Sequence, residues 1–358
     1  MEQDREVTGE GRRASRREFV KAAAAGAVGL AVGAQAGRGE GVVPPQGMGP
    51  FNPRTHAAMP TRNLGRTGYR VGIFGLGGQA TIEKPGMEEQ AVAIINRAID
   101  LGVNYIDTAA AYGREQMWSQ RYIGQVMKER RREVFLTSKT HRRSYDESMR
   151  LLETSLKLLH TDHLDLWQLH NVSRTEQLDQ IFAQDGAIHA LEKAKSEKIV
   201  RHVGITGHAD PFVLADGLRR YRFDTILMAV NAADRHHLSF VEHLLPLALE
   251  QELGIIGMKI PARGRILVGW TPPPLEQQPG FEKGATRSGT LTMAEAMRYT
   301  LSLPVSTVII GCDTVTHVEE NARIARDFTP LSERQMVALA AKTAEIRRQA
   351  LFFRKWEG

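Results

Sequence analysis

A single cysteine, Cys312, stands in a chain of 358 residues. One thiol closes no intrachain disulfide and supplies no iron–sulfur cluster, which needs several thiolates, so stability has to come from the core. Basic runs interleaved with aromatics are missing too. Lys plus Arg, 47, exceed Asp plus Glu, 41, but the excess of +6 is spread along the chain, which speaks against a nucleic-acid partner. Long hydrophobic runs are also wanting: the Ala/Gly/Val-rich stretch at residues 22–32 falls well short of the roughly 20 apolar residues of a spanning helix. No stable membrane span is expected. What is present, 42% hydrophobic and 25% charged residues, is the composition of a soluble globular protein with one large domain or two ordinary ones.

Ser15-Arg16-Arg17-Glu18-Phe19-Val20-Lys21 precedes that apolar stretch, and Ala34-Gln35-Ala36 fits the small-x-small pattern of signal-peptide cleavage. An arginine pair, Phe, apolar run and cleavage site in this order read as a twin-arginine (Tat) export signal over residues 1–36. The reading implies the Tat translocase as a partner during export and a periplasmic or otherwise extracytoplasmic location. The competing reading is a basic, fraying N-terminal helix of a cytosolic enzyme. With no cysteine near the cleavage site, a lipoprotein anchor is not expected. Residues 37–60, with Pro44-Pro45, Pro50, Pro53 and several glycines, are expected to form a flexible linker.

Short β-rich apolar runs recur at residues 71–76, 103–106, 134–137, 164–169, 200–205, 225–230, 254–258 and 305–310, a spacing of roughly 30 residues. Helical periodicity lies between them: residues 88–101 put Ala91, Ile94, Ile95, Ala98 and Ile99 on one face, and residues 147–159 do the same with Leu151, Leu152, Leu156 and Leu159. Parallel strands with right-handed crossovers leave an open doubly wound sheet or a closed barrel, and eight units over about 250 residues favour closure. The predicted architecture is therefore α/β, a single (β/α)8 TIM barrel over residues 61–350 with an extra C-terminal helix at 333–347. Residues 268–289, rich in Pro, Gly and Gln, are too long for an ordinary βα connection and form a candidate substrate lid.

A barrel builds its site at the C-terminal ends of its strands. Four polar residues fall there: Asp107 after Val103-Asn104-Tyr105-Ile106, Tyr112 in the loop that follows, Lys139 after Phe135-Leu136-Thr137-Ser138, and His170 after Leu166-Trp167-Gln168-Leu169. A tyrosine protonates a carbonyl oxygen at working pH only if its pKa, about 10 in isolation, is drawn down, and the ammonium of Lys139 is placed to do so. Asp107 would keep that lysine charged, and the imidazole of His170 would orient the substrate oxygen. Singly, each has an ordinary reading: solvated strand end, surface aromatic, helix N-cap, satisfied core histidine. Their joint occurrence points to catalysis.

From about Thr61 to Ala325 the sequence resembles the aldo/keto reductase family. The matching segments are Arg62-Asn63-Leu64-Gly65-Arg66-Thr67-Gly68, Gly75-Leu76-Gly77-Gly78, Asn104-Tyr105-Ile106-Asp107-Thr108-Ala109 with Tyr112-Gly113, Ser138-Lys139-Thr140, Asp165 to His170, Val203-Gly204-Ile205-Thr206-Gly207, and Ile309-Ile310-Gly311 with Glu319-Glu320-Asn321. The resemblance implies a barrel opened by a short N-terminal hairpin, NADPH (with NADH possible) extended across its mouth, and reduction of a small aldehyde or ketone. By position, Tyr112 would be the general acid or base, Lys139 and Asp107 its tuning pair, and His170 the carbonyl orienter. Asn231 and Thr206 would contact the nicotinamide carboxamide, and Glu320 and Asn321 the adenine edge. Two departures stand out: Met258 replaces a stacking aromatic, and Gly311-Cys312-Asp313-Thr314, with His317, replaces a basic 2′-phosphate site. Asp313 would repel a 2′-phosphate unless Arg323 or Arg326 compensates.

Three other readings compete. Gly75-x-Gly77-x-x-Ala80 fits a dinucleotide fingerprint, but Glu83-Lys84-Pro85-Gly86 breaks the helix that a Rossmann fold needs there. His202, His208, His236 and His237 admit a metal-dependent hydrolase, though their spacing matches no ligand motif. A non-catalytic nucleotide-binding sensor or docking module on the same barrel is the third, and the four strand-end residues argue against it.

Overall fold

A computed structural model describes residues 49–278 and 285–356. The predicted export signal, residues 37–48 of the predicted linker and residues 279–284 of the predicted lid lie outside the described residues. The rest of the linker is a correction to the sequence reading. Within it, α1 (Thr55–Ala58) is docked beneath the barrel: Asn52 Nδ2 donates to the carbonyls of Ile99 at 2.8 Å and Val103 at 3.2 Å, and Thr55 Oγ1 to that of Gly102 at 2.8 Å. Two small polar side chains satisfy carbonyls freed at a helix end, a tie that Pro and Gly content does not reveal.

A hairpin of β1 (Thr61–Asn63) and β2 (Arg70–Gly72) follows, paired antiparallel from Thr61↔Gly72 to Asn63↔Arg70. The run predicted as one strand at 71–76 thus divides, with β2 in the hairpin and β3 (Phe74–Gly77) in the barrel. Asn104 holds the break, accepting from Gly72 N at 2.9 Å and donating to Arg70 O at 3.0 Å. Leu64 and Val71 of the hairpin region join Tyr105, Phe135, Leu166 and Ile256 in the buried floor.

Above that floor eight parallel strands close a barrel: β3, β4 (Tyr105–Asp107), β5 (Phe135–Thr140), β6 (Leu164–Leu169), β7 (Val200–Gly207), β8 (Thr225–Ala229), β9 (Gly254–Met258) and β10 (Thr307–Ile310). The seam joins last to first, with Val308↔Phe74 and Ile310↔Leu76. Most of these strands read as apolar runs because both faces are covered, one by the barrel interior and one by helices. The helices follow in order: α2 (Glu88–Asp100), α3 (Trp118–Arg130), α4 (Tyr145–Leu158), α5 (Thr175–Phe182), α6 (Ala187–Ser196), α7 (Pro211–Arg220), the short α8 (Phe240–His243) and α9 (Leu245–Glu250), α10 (Met293–Leu301) and α11 (Val315–Arg326). The five apolar residues that the periodicity assigns to one face of α2 are the five it buries. After Gly77 the chain forms a 3-10 turn, Ala80–Glu83, and its strand lies in a closed barrel, so the Rossmann reading falls.

The predicted C-terminal helix is shorter than expected. It runs as α12 (Glu333–Lys342) and stops where Thr343 Oγ1 turns back to the carbonyls of Ala340 at 2.7 Å and Ala232 at 3.2 Å. A helical turn, α13 (Arg347–Ala350), then leads a tail across the barrel mouth. Arg354 anchors the tail: its guanidinium is buried, ion-paired with Asp234, and donates to the carbonyls of His208 at 2.7 Å and Ala229 at 2.9 Å. Arg354→Ala is expected to cost about 3–5 kcal/mol in urea unfolding, the usual loss when one partner of a buried ion pair is removed. A loss below about 1 kcal/mol, typical of exposed pairs, would show that the tail is not part of the cooperative unit.

Candidate active site

At the mouth, β4 and β5 lie side by side in register, Asp107 opposite Thr137, so the strand-end carboxylate and the lysine two residues beyond Thr137 converge. Lys139 Nζ meets Asp107 Oδ2 at 2.5 Å, both residues 1% exposed, and the other carboxylate oxygen accepts from Thr137 Oγ1 at 2.9 Å. The ammonium also donates to the Thr108 carbonyl at 2.9 Å and to the Tyr112 hydroxyl oxygen at 3.4 Å. Gly113 turns the loop that carries Tyr112 at φ 86°, where a Cβ would press on Trp118 N at 2.3 Å. His170, at the end of β6, stands edge-on to the Tyr112 ring with centroids 5.6 Å apart. The four predicted residues therefore share one site.

Burial sets the protonation states. It pushes the Tyr112 phenol well above its ordinary pKa, with Asp107 and Glu83 adding to the effect and Arg263 opposing it. The direction is opposite to the sequence expectation of a phenol drawn down by Lys139: desolvation is the largest cause, and Tyr112 is held as the neutral acid. Burial also lowers Lys139, against which Asp107 acts. It takes His170 well below the usual imidazole value, helped by Lys139, His141, Arg143 and Lys259, so the ring is neutral.

A cavity of about 620 Å³ extends from Tyr112 across the mouth over β3, β9 and β10. That size is within the ordinary range of ligand sites. Asp107, Tyr112 and Met258 line it, together with Gly77, Gln79, Lys259 and Arg263 and with Gly311, Asp313, His317, Glu320 and Asn321. Leu267 and Trp270 border it from beside and within the predicted lid. Lys259, Ala262 and Arg263 all take left-handed backbone conformations, unusual for residues with a Cβ and common at binding sites.

Three predicted cofactor residues face elsewhere. Asn231 spends its amide on the carbonyls of Ala350 at 3.1 Å and Lys259 at 3.2 Å, and its oxygen on Ala233 N at 2.9 Å. Thr206 is buried, its hydroxyl accepting from Asn171 N at 3.0 Å. Cys312 turns behind Gly311, where Asn321 Nδ2 contacts its sulfur at 3.5 Å and burial pushes the thiol up to about 12. The four histidines of the metal reading are dispersed: His208 bonds Asn171, His236 the Ala340 carbonyl, His237 the Lys355 carbonyl, and His202 stacks on Phe135.

Lys259 was missed by sequence reasoning. Its Nζ donates to Gln79 Oε1 at 3.0 Å, and burial, with Arg263 beside it, lowers its pKa to about 8. The signal available was a lysine at the very end of an apolar strand, directly after Met258.

A half-buried phenol backed by an ammonium, lining a cavity in a barrel mouth, is the equipment of a barrel oxidoreductase that protonates carbonyl oxygen. The chain belongs to the aldo/keto reductase family, whose profile matches residues 71–344, and is an NAD(P)H-dependent oxidoreductase of that type. It is 28% identical over 321 residues to the uncharacterized oxidoreductase YqkF of Bacillus subtilis, covering 80% of this chain and 97% of that one. L-galactose dehydrogenase of Arabidopsis thaliana is 28% identical over 292 residues, 75% of this chain and 89% of its own. Among solved structures, the holo form of aldo-keto reductase AKR11C1 from Bacillus halodurans superposes with a TM-score of 0.65 at 25% identity, covering 79% and 96% of the two chains. An aldo-keto reductase from Klebsiella pneumoniae in complex with NADPH gives 0.61 at 24%, covering 78% and 94%.

Proposed function

We propose that this oxidoreductase reduces an aldehyde or ketone to the alcohol with a nicotinamide dinucleotide lying along the cavity, and that it works outside the cytoplasm. The observation that carries the catalytic reading is the contact between the Tyr112 hydroxyl and a Lys139 ammonium that Asp107 neutralises. A bound nicotinamide supplies the hydride. Tyr112, kept protonated by burial, gives its proton to the carbonyl oxygen, and Lys139 then stabilises the phenolate. His170, neutral, has a ring nitrogen to hold that oxygen in place. Tyr112→Phe is expected to lower kcat by about 100-fold or more while the cofactor Kd changes little. Retained turnover in that variant would refute the assignment. A wild-type protein that binds the dinucleotide but turns over no carbonyl would favour the sensor or docking-module reading.

Three features support the placement of the cofactor. Gly77 and Gly311 lie so close that a Cβ on the first would stand 3.0 Å from the second's N, leaving backbone free to face a ligand. Lys259 and Arg263 offer positive charge to a diphosphate bridge. The buried Oδ1 of Asn321 lacks a partner among the described residues and suits a base amino group.

NADPH is the ligand of the Klebsiella neighbour. Here, however, Asp313 and Glu320 line the cavity, and Lys84, the cation beside them, is paired with Asp313 at 3.0 Å. Arg326 pairs with Asp327, and neither it nor Arg323 is among the lining residues. A carboxylate accepts a ribose 2′-hydroxyl and repels a 2′-phosphate, so this lining admits NADH alongside NADPH. Asp313→Asn is expected to shift the ratio of the two dissociation constants about tenfold toward NADPH, ~1.4 kcal/mol, by fluorescence titration. An unmoved ratio would take Asp313 out of cofactor choice.

Export through the twin-arginine route is supported by the ordered arginine pair, Phe19, apolar stretch and cleavage pattern of residues 1–36. A translocase that carries folded proteins would let a tightly held cofactor travel with the barrel. Replacing Arg16 and Arg17 by lysine is expected to leave unprocessed protein in the cytoplasm on cell fractionation. Undiminished protein in the exported fraction would remove the signal.

A further inference from the structure

The cavity occupies one side of the mouth, over β3, β9 and β10; beyond His170 the opposite rim is built by the loops after β5 and β6. That rim is cationic. Arg143, in the loop after β5, reaches to the loop after β6, where its Nη2 donates to the carbonyls of His170 at 2.8 Å and Asn171 at 3.3 Å. Among the described residues its Nη1, shielded from solvent, has no acceptor, and the shielded Nδ1 of His141 is unpartnered in the same way. The charged group acting most on Arg143 is another cation, Arg174. Neither arginine forms a salt bridge among the described residues, and the local acid, Glu147, is engaged by Arg142 at 3.4 Å and Ser144 at 2.8 Å.

The same imbalance surrounds the orienting imidazole. Lys139, Arg143 and Lys259 are the charged neighbours acting on His170, with His141 beside them, and of the three only Lys139 has a carboxylate within ion-pair distance among the described residues. A guanidinium keeps its charge at any working pH, and a buried donor without an acceptor is costly to maintain. The phosphates of a dinucleotide in the cavity run past Lys259 and Arg263 on the other side, which leaves Arg143 unanswered by the cofactor.

We infer that the carbonyl substrate carries an anionic group, a carboxylate or a phosphate, which lies against Arg143 while its carbonyl oxygen meets Tyr112 and His170. The inference rests on the carbonyl-reductase reading above. Arg143 bonds the backbone carbonyl of His170 and acts electrostatically on its ring, which brings the guanidinium to the same strand end. Short oxo acids and short phosphorylated aldehydes are the classes that fit.

The test is steady-state kinetics on matched pairs with the full chain: succinate semialdehyde against butanal, and glyceraldehyde 3-phosphate against glyceraldehyde. Wild-type protein is expected to favour the anionic member of at least one pair by about tenfold or more in kcat/KM, mainly through KM and less so at high salt. The pair that shows it distinguishes carboxylate from phosphate. Arg143→Met should bring that ratio close to one, and Arg143→Lys should keep part of it. Preference for the neutral member in both pairs overturns the inference. So does an Arg143→Met variant that slows both members equally, which would make Arg143 only a brace for the His170 loop. If both nucleotides bind and none of the four carbonyls is reduced, the reductase reading itself fails and takes this inference with it.

Discussion

The active site hangs on one buried ion pair. Asp107 and Lys139 are sealed from water, and two charges taken out of solvent recover their hydration only if every remaining lone pair and proton finds a partner. Here each carboxylate oxygen has a donor, Lys139 on one and Thr137 on the other, while Thr108 and Tyr112 take up the further ammonium protons. Such a pair is a poor stabiliser of a fold compared with apolar packing, so its presence at the strand ends is explained by what it does for Tyr112. Parallel pairing of β4 with β5 makes the arrangement possible, because it sets Asp107 opposite Thr137 and so brings Lys139, two residues further along β5, within reach of the carboxylate.

The rest of the mouth is organised around that centre by charge. Glu83, Asp313 and Glu320 line the cavity on one side, with Lys84 and Lys259 among them, and the balance there is mixed. Across His170 the balance tips to cations. The imidazole is neutral because it is desolvated within this positive surrounding, and under the proposed mechanism a neutral ring would hold a substrate oxygen without competing for the proton of Tyr112.

Much of this was legible in the sequence, and the parts that were not share a cause. The eight strands follow from local periodicity, and the tetrad follows from polar residues that interrupt apolar runs where a barrel puts its mouth. Asn231 and Thr206 also end strands, but their side chains answer to partners 119 and 35 residues away in the chain, Ala350 and Asn171, which no local pattern announces. The docking of Asn52 and Thr55 under the barrel is of the same long-range kind. The state of the Tyr112 phenol was misjudged for another reason: chemistry alone names Lys139 as its neighbour, whereas the degree of burial, which decides the sign, belongs to the packed barrel. Lys259 went unassigned because a lysine at a strand end usually faces water.

The seam between β10 and β3 joins residues more than 230 positions apart, as Val308↔Phe74 shows, and the anchor of the mouth, Arg354, lies later still. A chain made from its N-terminus onward therefore carries Asp107, Tyr112, Lys139 and His170 long before the segments that enclose them exist. Distant pairing of this kind is slow to form and leaves strand edges open meanwhile. These four residues are among the early products of synthesis, but the enclosed, desolvated environment that gives them their protonation states is among its last.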